Sequence, residues 1–319
     1  MRLDLHTAEL LLIYSSVVSR AADAQRCIFN DVVCKSGTPV TVVREVPSAE
    51  YQQSQHTYIM LSSGKWKPIR IKVSSLDLDD NQKSCSIFEN VKVILRDKKN
   101  KLLNQILPAA IQLHGDRRLL KRLDTTFKVP NLRTTVCSHF TVLQDHTNEG
   151  VHDADMLLYV AAGPSKDSND IWAVPCAVLE DGRPVVAAMN LVPRNIVFER
   201  SVVRATAHVI GYALGFSYER MTALKMTTTT VNKCKNKRAV VVNSTKTKEA
   251  AKKYFDCSSL EGMELEDGNN EVDHSHRKRR TTRNELISTW NFNEAGMYYS
   301  ALTMGAFEDM KYYQVRWGM

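Results

Sequence analysis

Residues 204–217 hold the pattern of this chain that comes nearest to a catalytic motif. His208 and Tyr212 stand four positions apart, so a helix would place both side chains on one face. In the motif H-E-x-x-H, two histidines with this spacing bind zinc, and the glutamate after the first acts as general base. Here Val209 stands at the glutamate position and Tyr212 at the second histidine position. The spacing of His208 and Tyr212 indicates nothing alone. The residues that follow, Ala-Leu-Gly-Phe-Ser at 213–217, favour the interpretation of a metal-assisted hydrolysis site in which the base and one ligand are replaced.

Neighbouring elements are expected to position this stretch. Hydrophobic periodicity predicts a helix over 197–214, which Gly215 would end. Two apolar runs, 173–179 and 185–191, flank an Asp-Gly turn and predict a hairpin. The run 156–160 is typical of a buried strand. We expect these strands to form a sheet on which the helix packs.

Other segments show weaker patterns. Alternation at Ile69, Ile71 and Val73 predicts a half-buried strand, and apolar spacing predicts a helix over 99–123 that Pro108 kinks or divides. Residues 221–248 indicate an exposed insertion, 247–257 a short helix, and 264–273 a flexible acidic segment. A final helix is predicted over 298–310, with four core candidates: Leu302, Met304, Ala306 and Phe307.

Composition describes an ordinary globular protein that could hold one large core or two smaller ones. The 319 residues are 43% hydrophobic and 24% charged, and the formal net charge is +8. Such a charge could suit an anionic partner. The lysines and arginines are scattered, however, and no nucleic-acid-binding signature accompanies them. We therefore expect no nucleic-acid partner and interpret the positive charge as solvated surface.

Cysteine usage and the N-terminus favour the secretory pathway. The seven cysteines form no C-x-x-C pair, and their odd number and wide spacing fit a secreted protein with a few disulfides. Residues 1–24 are a candidate signal peptide, with an ordinary amphipathic helix as the alternative. Asn243 begins an N-glycosylation sequon. No run reaches the roughly 20 apolar residues of a membrane span, so no transmembrane helix is expected.

Several further motifs occur in a consistent order. Residues 155–162 are similar to D-F-V-x-Y-V-A-S, and 172–190 to W-x-T-T-C followed by D-G-x-P-x-V-G-x-x-N. Residues 208–217 align with H-E-x-x-H-A-L-G-F-S, and 298–309 follow Y-Y-T-A-L-T-M-A-x-F-x-D. On these motifs, which extend over most of residues 25–319, the chain resembles the leishmanolysin family, the surface metalloproteases of trypanosomatids.

The resemblance implies an α+β, metzincin-like zincin fold in which a mixed sheet packs on the active-site helix, with a smaller lower subdomain. It divides the chain into a pro-region remnant (25–64), an upper subdomain (65–217), and an insertion with the lower subdomain (218–319). It further implies that the chain ends before the family's cysteine-rich C-terminal domain and lacks its lipid-anchor signal.

The resemblance also assigns roles to single residues. His208 would be the first zinc ligand and His276 the third, with Tyr212 in place of the second. Val209 replaces the general base, and Ile287 replaces the methionine of the turn below the metal. Cys27 corresponds to a cysteine that can cap the zinc in the zymogen. Cys137 and Cys176 are implied as a disulfide. Cys257 corresponds to a family cysteine whose partner would lie in the C-terminal domain, and the pairing of Cys34, Cys85, Cys234 and Cys257 stays open.

These replacements predict a non-catalytic leishmanolysin homologue in which zinc binding is weak or absent. With the ligand set incomplete, Cys27 would have little to cap. The expected partners are proteins or peptides, host surface proteins among them, and the oligomeric state is open. One alternative is an active zinc metalloendopeptidase with a rearranged site that uses Tyr212 or His274. Others are a purely adhesive protein, including one that binds peptides along the sheet edge, and a decayed copy that does not fold stably.

Overall fold

The computed structural model describes residues 26–27, 29, 32–33, 41–43, 45–46, 65–79, 96–123, 126–132, 136–163, 170–232, 237–267, 274–289 and 296–318. The candidate signal peptide at 1–24 lies outside these residues, as do Cys34, Cys85 and Cys234 and most of the predicted pro-region. The statements below concern the described part of the chain.

The described chain contains both strands and helices, in runs of one to five strands separated by helices. The strands are β1 (Arg26–Cys27), β2 (Thr41–Val42), β3 (Glu45–Val46), β4 (Trp66–Pro68), β5 (Ile71–Ser74), β6 (Arg118–Lys121), β7 (Thr126–Phe127), β8 (Met156–Ala161), β9 (Asp170–Val178), β10 (Pro184–Asn190), β11 (Thr227–Asn232), β12 (Lys237–Val242), β13 (Met263–Glu264) and β14 (Gln314–Val315). The helices are α1 (Arg96–Lys101), α2 (Leu107–Arg117), α3 (Gln144–Asn148), α4 (Arg200–Ala213), α5 (Tyr218–Ala223), α6 (Thr245–Tyr254), α7 (Arg279–Thr282) and α8 (Ala301–Asp309).

A six-stranded mixed sheet forms the centre of the fold, in the order β1-β9-β10-β8-β5, with β2 also paired to β9. β8 runs parallel to β5 and β10, and β10 runs antiparallel to β9. Every residue of β8 is buried, because the strand is covered on both faces. The predicted buried strand and the predicted hairpin are both confirmed. Gly182 lies in the hairpin turn with φ +85°, a conformation that favours glycine.

The outer edge of β9 is paired with the N-terminal part of the chain. β1 runs parallel to β9 at residues 170–171, and β2 runs parallel to it at 177–178. Short N-terminal strands therefore lie along both ends of this edge. This pairing brings Cys27 and its neighbours to the face of the sheet where α4 packs.

Helix α4 carries the motif stretch and packs against β9, β10 and α2. The helix begins at Arg200 rather than at the predicted 197, and residues 205–213 are all buried. Gly215 ends it with φ +103°, as expected for a left-handed C-terminal residue. A side chain at Gly215 would also meet the Tyr312 hydroxyl, at 3.0 Å from its Cβ. The glycine is thus needed for both backbone conformation and space.

The helix predicted over 99–123 is observed over 96–117, and it is interrupted before Pro108. Residues 102–106 form a π-helical turn between α1 and α2. Pro108 has no N–H and its ring would crowd the carbonyl four residues earlier, so a widened turn accommodates it. The predicted C-terminal end was wrong, because residues 118–121 pair as β6 with β4 and β14. The predicted strand begins at Ile71, two residues later than expected.

The described part of 221–248 is more ordered and more buried than the predicted exposed segment, and its being an insertion stays a prediction. α5 and the β11–β12 hairpin occupy most of this segment, and Ala239, Val241 and Val242 of β12 are buried. Threonine and valine favour strands because their branched side chains suit a pleated surface. The short helix that follows, α6, begins at Thr245, two residues earlier than predicted.

The segments after 264 also differ from expectation. Residues 263–264 pair with β12, and Leu265 bridges Arg277, so the described start of the acidic segment is ordered by pairing. Arg277 and Lys278 are buried rather than solvated, because Arg277 donates to the Leu302 carbonyl and Lys278 contacts Asp267 at 2.6 Å. Helix α8 is three residues shorter at its start than predicted, and its four core candidates are buried.

The prediction of an α+β fold is confirmed, and the sheet packed on α4 is compatible with a metzincin-like peptidase. One hydrophobic core extends from the sheet through α4 to Phe307 of α8, and a smaller one joins α6, β13 and α8. The division between upper and lower subdomains at 217 stays a prediction. Among the described residues, no helix combines the length and the apolar character required to cross a bilayer.

Candidate metal centre

His208 lies on the buried face of α4 with a fixed hydrogen-bond partner. Its Nδ1 donates to the carbonyl oxygen of Leu286 at 2.6 Å. The proton is therefore on Nδ1, and Nε2 carries the free lone pair. Nε2 is buried and has no hydrogen-bond partner within the described part of the chain. A buried nitrogen in this state is costly unless a ligand satisfies it, so His208 is prepared to bind a metal.

His276 and Cys27 complete a group of three side chains with metal-binding atoms. The ligand atoms of Cys27, His208 and His276 all lie within 4.8 Å of one another. The two imidazole rings are stacked, with centroids 5.4 Å apart. His276 is 5% exposed, and Cys27 is half-buried at the end of β1. The expectation that Cys27 has little to cap stays a prediction, although the fold places its sulfur beside both histidines.

Tyr212 fills the space beside this group. Its ring lies 5.1 Å from the ring of His208 and 5.2 Å from that of His276, in edge-on contacts. Phe29 stacks on the opposite side, with ring centroids 4.3 Å apart. The Tyr212 hydroxyl is buried and makes no hydrogen bond to the described residues. No hydrogen bond joins it to His208, which instead bonds Leu286.

Burial sets the protonation of the group. It lowers the pKa of His208 to about 4, and the bond to the Leu286 carbonyl only partly opposes this shift. Burial also lowers the pKa of His276 well below its usual range, and the neighbouring His208 adds to the effect. Both imidazoles are thus neutral at pH 7, the form that binds metals. Burial raises the pKa of Tyr212 well above 10, so its phenol stays neutral and is a poor ligand.

The position that would need a carboxylate holds Val209, which is fully buried. Glu285 is the carboxylate whose charge acts on both His208 and Tyr212. Its Oε1 accepts hydrogen bonds from the Ser300 hydroxyl at 2.8 Å and from the backbone N–H of Thr303 at 3.2 Å. Its Oε2 accepts from the N–H of Ile287 at 2.9 Å. Because both oxygens are engaged, Glu285 is not available as a general base.

Glu285 instead holds the loop that supports His208 from below. Leu286 donates its N–H to the Tyr298 carbonyl at 2.9 Å, which fixes the carbonyl that His208 uses. Ile287 packs against α4 so closely that a Cβ on Gly211 would lie 2.8 Å from its Cδ1. An aliphatic side chain therefore fills the place of the methionine implied by the resemblance.

The remaining predicted site residues lie elsewhere. His274 is not part of the group, because its Nδ1 hydrogen-bonds the Glu266 carbonyl at 2.7 Å and its ring contacts Tyr218. Cys137 and Cys176 form the implied disulfide. Cys257 is a free thiol, and Asn243 is exposed. Sequence reasoning missed the contact of Phe29 with Tyr212 and the role of Glu285, although Glu285 lies in the stretch 284–286 that matches the family before Ile287.

A thiol and two neutral imidazoles fit zinc. In a tetrahedral site with bonds of about 2.0–2.3 Å, neighbouring ligand atoms lie roughly 3.3–3.8 Å apart. The 4.8 Å limit of the group requires only a small contraction to reach this spacing. The orphaned Nε2 of His208 supports the same conclusion.

An α+β fold with such a group beneath a mixed sheet is compatible with the class of metal-dependent peptidases. A family model described as leishmanolysin matches residues 24–319, so the chain belongs to the leishmanolysin family of peptidases. The prediction of this family is confirmed, and proteins or peptides are the substrate class that the family implies.

Individual proteins of this family are similar in sequence to the chain. Leishmanolysin of Leishmania tropica is 32% identical over 273 residues, which cover 80% of this chain and 41% of that protein. Leishmanolysin of Leishmania amazonensis is 29% identical over 316 residues, covering 93% and 52%. A leishmanolysin-like peptidase of Caenorhabditis elegans is 28% identical over 214 residues, covering 52% and 32%. The chain thus spans about half or less of the length of these relatives.

Proposed function

We propose that this chain is a leishmanolysin-family protein that does not hydrolyse peptides and that keeps its site as a closed, cysteine-ligated zinc centre. The observation that carries the proposal is Val209, buried in the core at the position next to His208 where a base must stand. A zinc peptidase needs a carboxylate there to take the proton of the attacking water. Loss of such a base lowers the rate by about 10²–10⁴.

Cys27, His208 and His276 would hold the metal. Bound zinc would polarise its ligands and cross-link the chain segments that carry them, and structural zinc sites of this kind add to folding free energy. The expectation of weak or absent zinc considered only the two histidines. Cys27 adds a third donor that the fold brings into range, which supports binding tighter than that expectation.

The surroundings support a closed site. Phe29 covers Tyr212, and the side chains of His208, Tyr212 and His276 are each at most 5% exposed. The outer edge of β9 is paired with β1 and β2. Recognition of peptides by strand addition over the full length of that edge would require both strands to leave, because they occupy its two ends. The active-peptidase and peptide-decoy alternatives are therefore less well supported than a closed centre.

We also propose a location in the secretory pathway, secreted or at the cell surface, with protein partners such as host surface proteins. The Cys137–Cys176 disulfide supports an oxidising compartment. The exposed Asn243 would be accessible to glycosylation.

Zinc content and peptide hydrolysis test the proposal together. The purified chain should hold about one zinc per molecule by mass spectrometry and cleave casein no faster than His208→Ala. Zinc should be lost in Cys27→Ser and His208→Ala and kept in the matched variant Cys257→Ser, which removes a free thiol that is not part of the centre. Full zinc retention in Cys27→Ser would reject the cysteine-ligated centre. Chelator-sensitive casein hydrolysis well above that of His208→Ala would reject the loss of catalysis.

A further inference from the structure

An open groove of about 500 Å³ lies between α6 and the C-terminal end of the described chain. One face of α6 forms its long wall, with residues spaced three or four positions apart from Lys246 to Tyr254. Ala301, the first residue of α8, and Trp317 form the opposite side. The groove shares no residue with the Cys27–His208–His276 centre and is therefore a separate surface feature.

Two aromatic side chains stand at the rim of this groove. Tyr254 is 53% exposed and Trp317 is 47% exposed. The indole N–H of Trp317 donates to Glu308 Oε2 at 3.0 Å, which holds the ring in one orientation. Ala250 and Ala301 line the groove with methyl groups only, so a flat body can approach. Large exposed aromatic surface beside small side chains is typical of a binding site.

The two lysines that line the groove differ in whether they have an ion-pair partner among the described residues. Lys246 is paired with Glu249, with 2.9 Å between Nζ and Oε2. Lys253 has no ion-pair partner within the part of the chain that the structure describes, and it is exposed. The groove therefore offers one unpaired ammonium group, together with one ion pair and one phenol that can exchange hydrogen bonds.

From this arrangement we propose that the groove binds a saccharide that carries one anionic group, either a carboxylate or a sulfate. The polarised C–H groups on the face of a sugar ring pack on the electron-rich faces of Tyr254 and Trp317. Its hydroxyl groups meet Lys246, Glu249 and the Tyr254 hydroxyl, which include both donors and acceptors. Its anionic group pairs with Lys253, whose compact charge suits a single acidic group.

Other ligands fit the groove less well. Peptide-binding sites anchor apolar side chains in fully desolvated pockets, and no leucine, isoleucine, valine or methionine lines this groove. Nucleotide phosphates are held by bidentate arginine or by backbone N–H groups, and the groove has no arginine. A sugar ring needs neither feature.

Titration of the full chain with a monosulfated keratan disaccharide, whose single anionic group is a sulfate, followed by tryptophan fluorescence and calorimetry, tests the proposal. A hyaluronan disaccharide supplies the carboxylate alone, maltose is the neutral sugar, and an acidic heptapeptide is the anion without a sugar. Trp317→Ala and Lys253→Gln should each weaken binding of the sulfated disaccharide by about three- to tenfold. Trp317→Phe should keep most of the affinity, since it retains a ring. The matched control Lys101→Gln removes an exposed helical lysine outside the groove and should change nothing.

Each of the other outcomes would overturn the proposal. Equal loss in Lys101→Gln and Lys253→Gln would mean diffuse attraction to a basic protein. Maltose binding as tightly as the charged sugars would remove the role of Lys253, and tighter binding of the acidic heptapeptide would assign the groove to a peptide. Binding of neither charged disaccharide at millimolar concentration would reject the site. None of these measurements depends on zinc binding or on the role proposed for His208.

Discussion

The ring of Phe29 lies flat against the ring of Tyr212, with 4.3 Å between centroids and 15° between planes. Both side chains are fully buried, so this contact joins the N-terminal part of the chain to α4. At the position that the resemblance assigns to a second imidazole ligand, Tyr212 thus makes an aromatic packing contact within the hydrophobic core.

Phe29→Ala should destabilise the protein by about 3–5 kcal/mol, because it leaves a cavity against Tyr212. Phe29→Leu keeps most of the volume and should cost less than half as much. Urea unfolding followed by circular dichroism measures both. Equal stability of the wild type and Phe29→Ala would mean that the N-terminal segment adds nothing to the core.

Arg277 and Glu285 form a buried ion pair, with 3.9 Å between Nε and Oε2. Glu285→Gln should cost about 3–5 kcal/mol, because the Arg277 guanidinium stays buried without its counter-charge. Arg277→Met combined with Glu285→Gln should be less destabilising than the sum of the two single changes. A double-mutant cycle by urea unfolding gives this coupling energy, and additive values would show that the pair does not interact.

Acid should destabilise the protein through buried histidines. His114 donates from Nε2 to the Ala207 carbonyl at 2.7 Å, and burial lowers its pKa well below the usual range. The unfolded chain binds a proton at this residue below about pH 6.5 and the native state does not. The contribution of His114 to the free energy of unfolding is therefore complete above about pH 6.5. As the pH drops below that value, the free energy of unfolding decreases by about 1.4 kcal/mol per pH unit for this histidine.

Urea titrations between pH 7.5 and 5.0, with a chelator present, measure this slope. His208, whose pKa burial lowers to about 4, acts in the same direction. His114→Gln should reduce the slope, because it removes a buried group whose pKa is lowered in the folded state. A stability that rises on acidification would contradict the neutral state of the buried imidazoles.

Gly211 and Ile287 should be energetically coupled. Gly211→Ala gains up to about 1 kcal/mol of helix propensity but places a Cβ 2.8 Å from Ile287 Cδ1. Overpacking of this kind costs about 1–3 kcal/mol, so a net loss is expected. Ile287→Val removes Cδ1, and the double variant should be more stable than the two single effects predict. Strict additivity in thermal or urea unfolding would show that α4 and the loop relax independently.

Local patterns predicted the elements whose partners are close in sequence. The apolar run of β8 and the Asp-Gly turn between β9 and β10 could be predicted without knowing which distant residues contact them. The start of α4 was predicted three residues too early. Arg277 could not be placed, because its burial depends on Glu285 and on the Leu302 carbonyl. A run of basic residues read alone indicates solvated surface.

The residues of the candidate metal centre were likewise predictable only in part. The resemblance identified His208 and His276 as ligand positions, and the fold brings them together across the 68 positions that separate them. The approach of Cys27 follows from the parallel pairing of β1 with β9, a non-local pairing that no spacing in the sequence encodes. Strand partners at long separation are set by tertiary packing, which local patterns do not record.

The pairing of β1 and β2 with β9 also bears on the solubility of the protein. An uncovered strand of β9's length would present a row of free N–H and C=O groups to other molecules. The parallel N-terminal strands satisfy such groups at both ends of the strand within the same chain. By pairing with β9, the N-terminal strands should hinder edge-to-edge association between molecules. This effect does not depend on catalysis or on substrate binding.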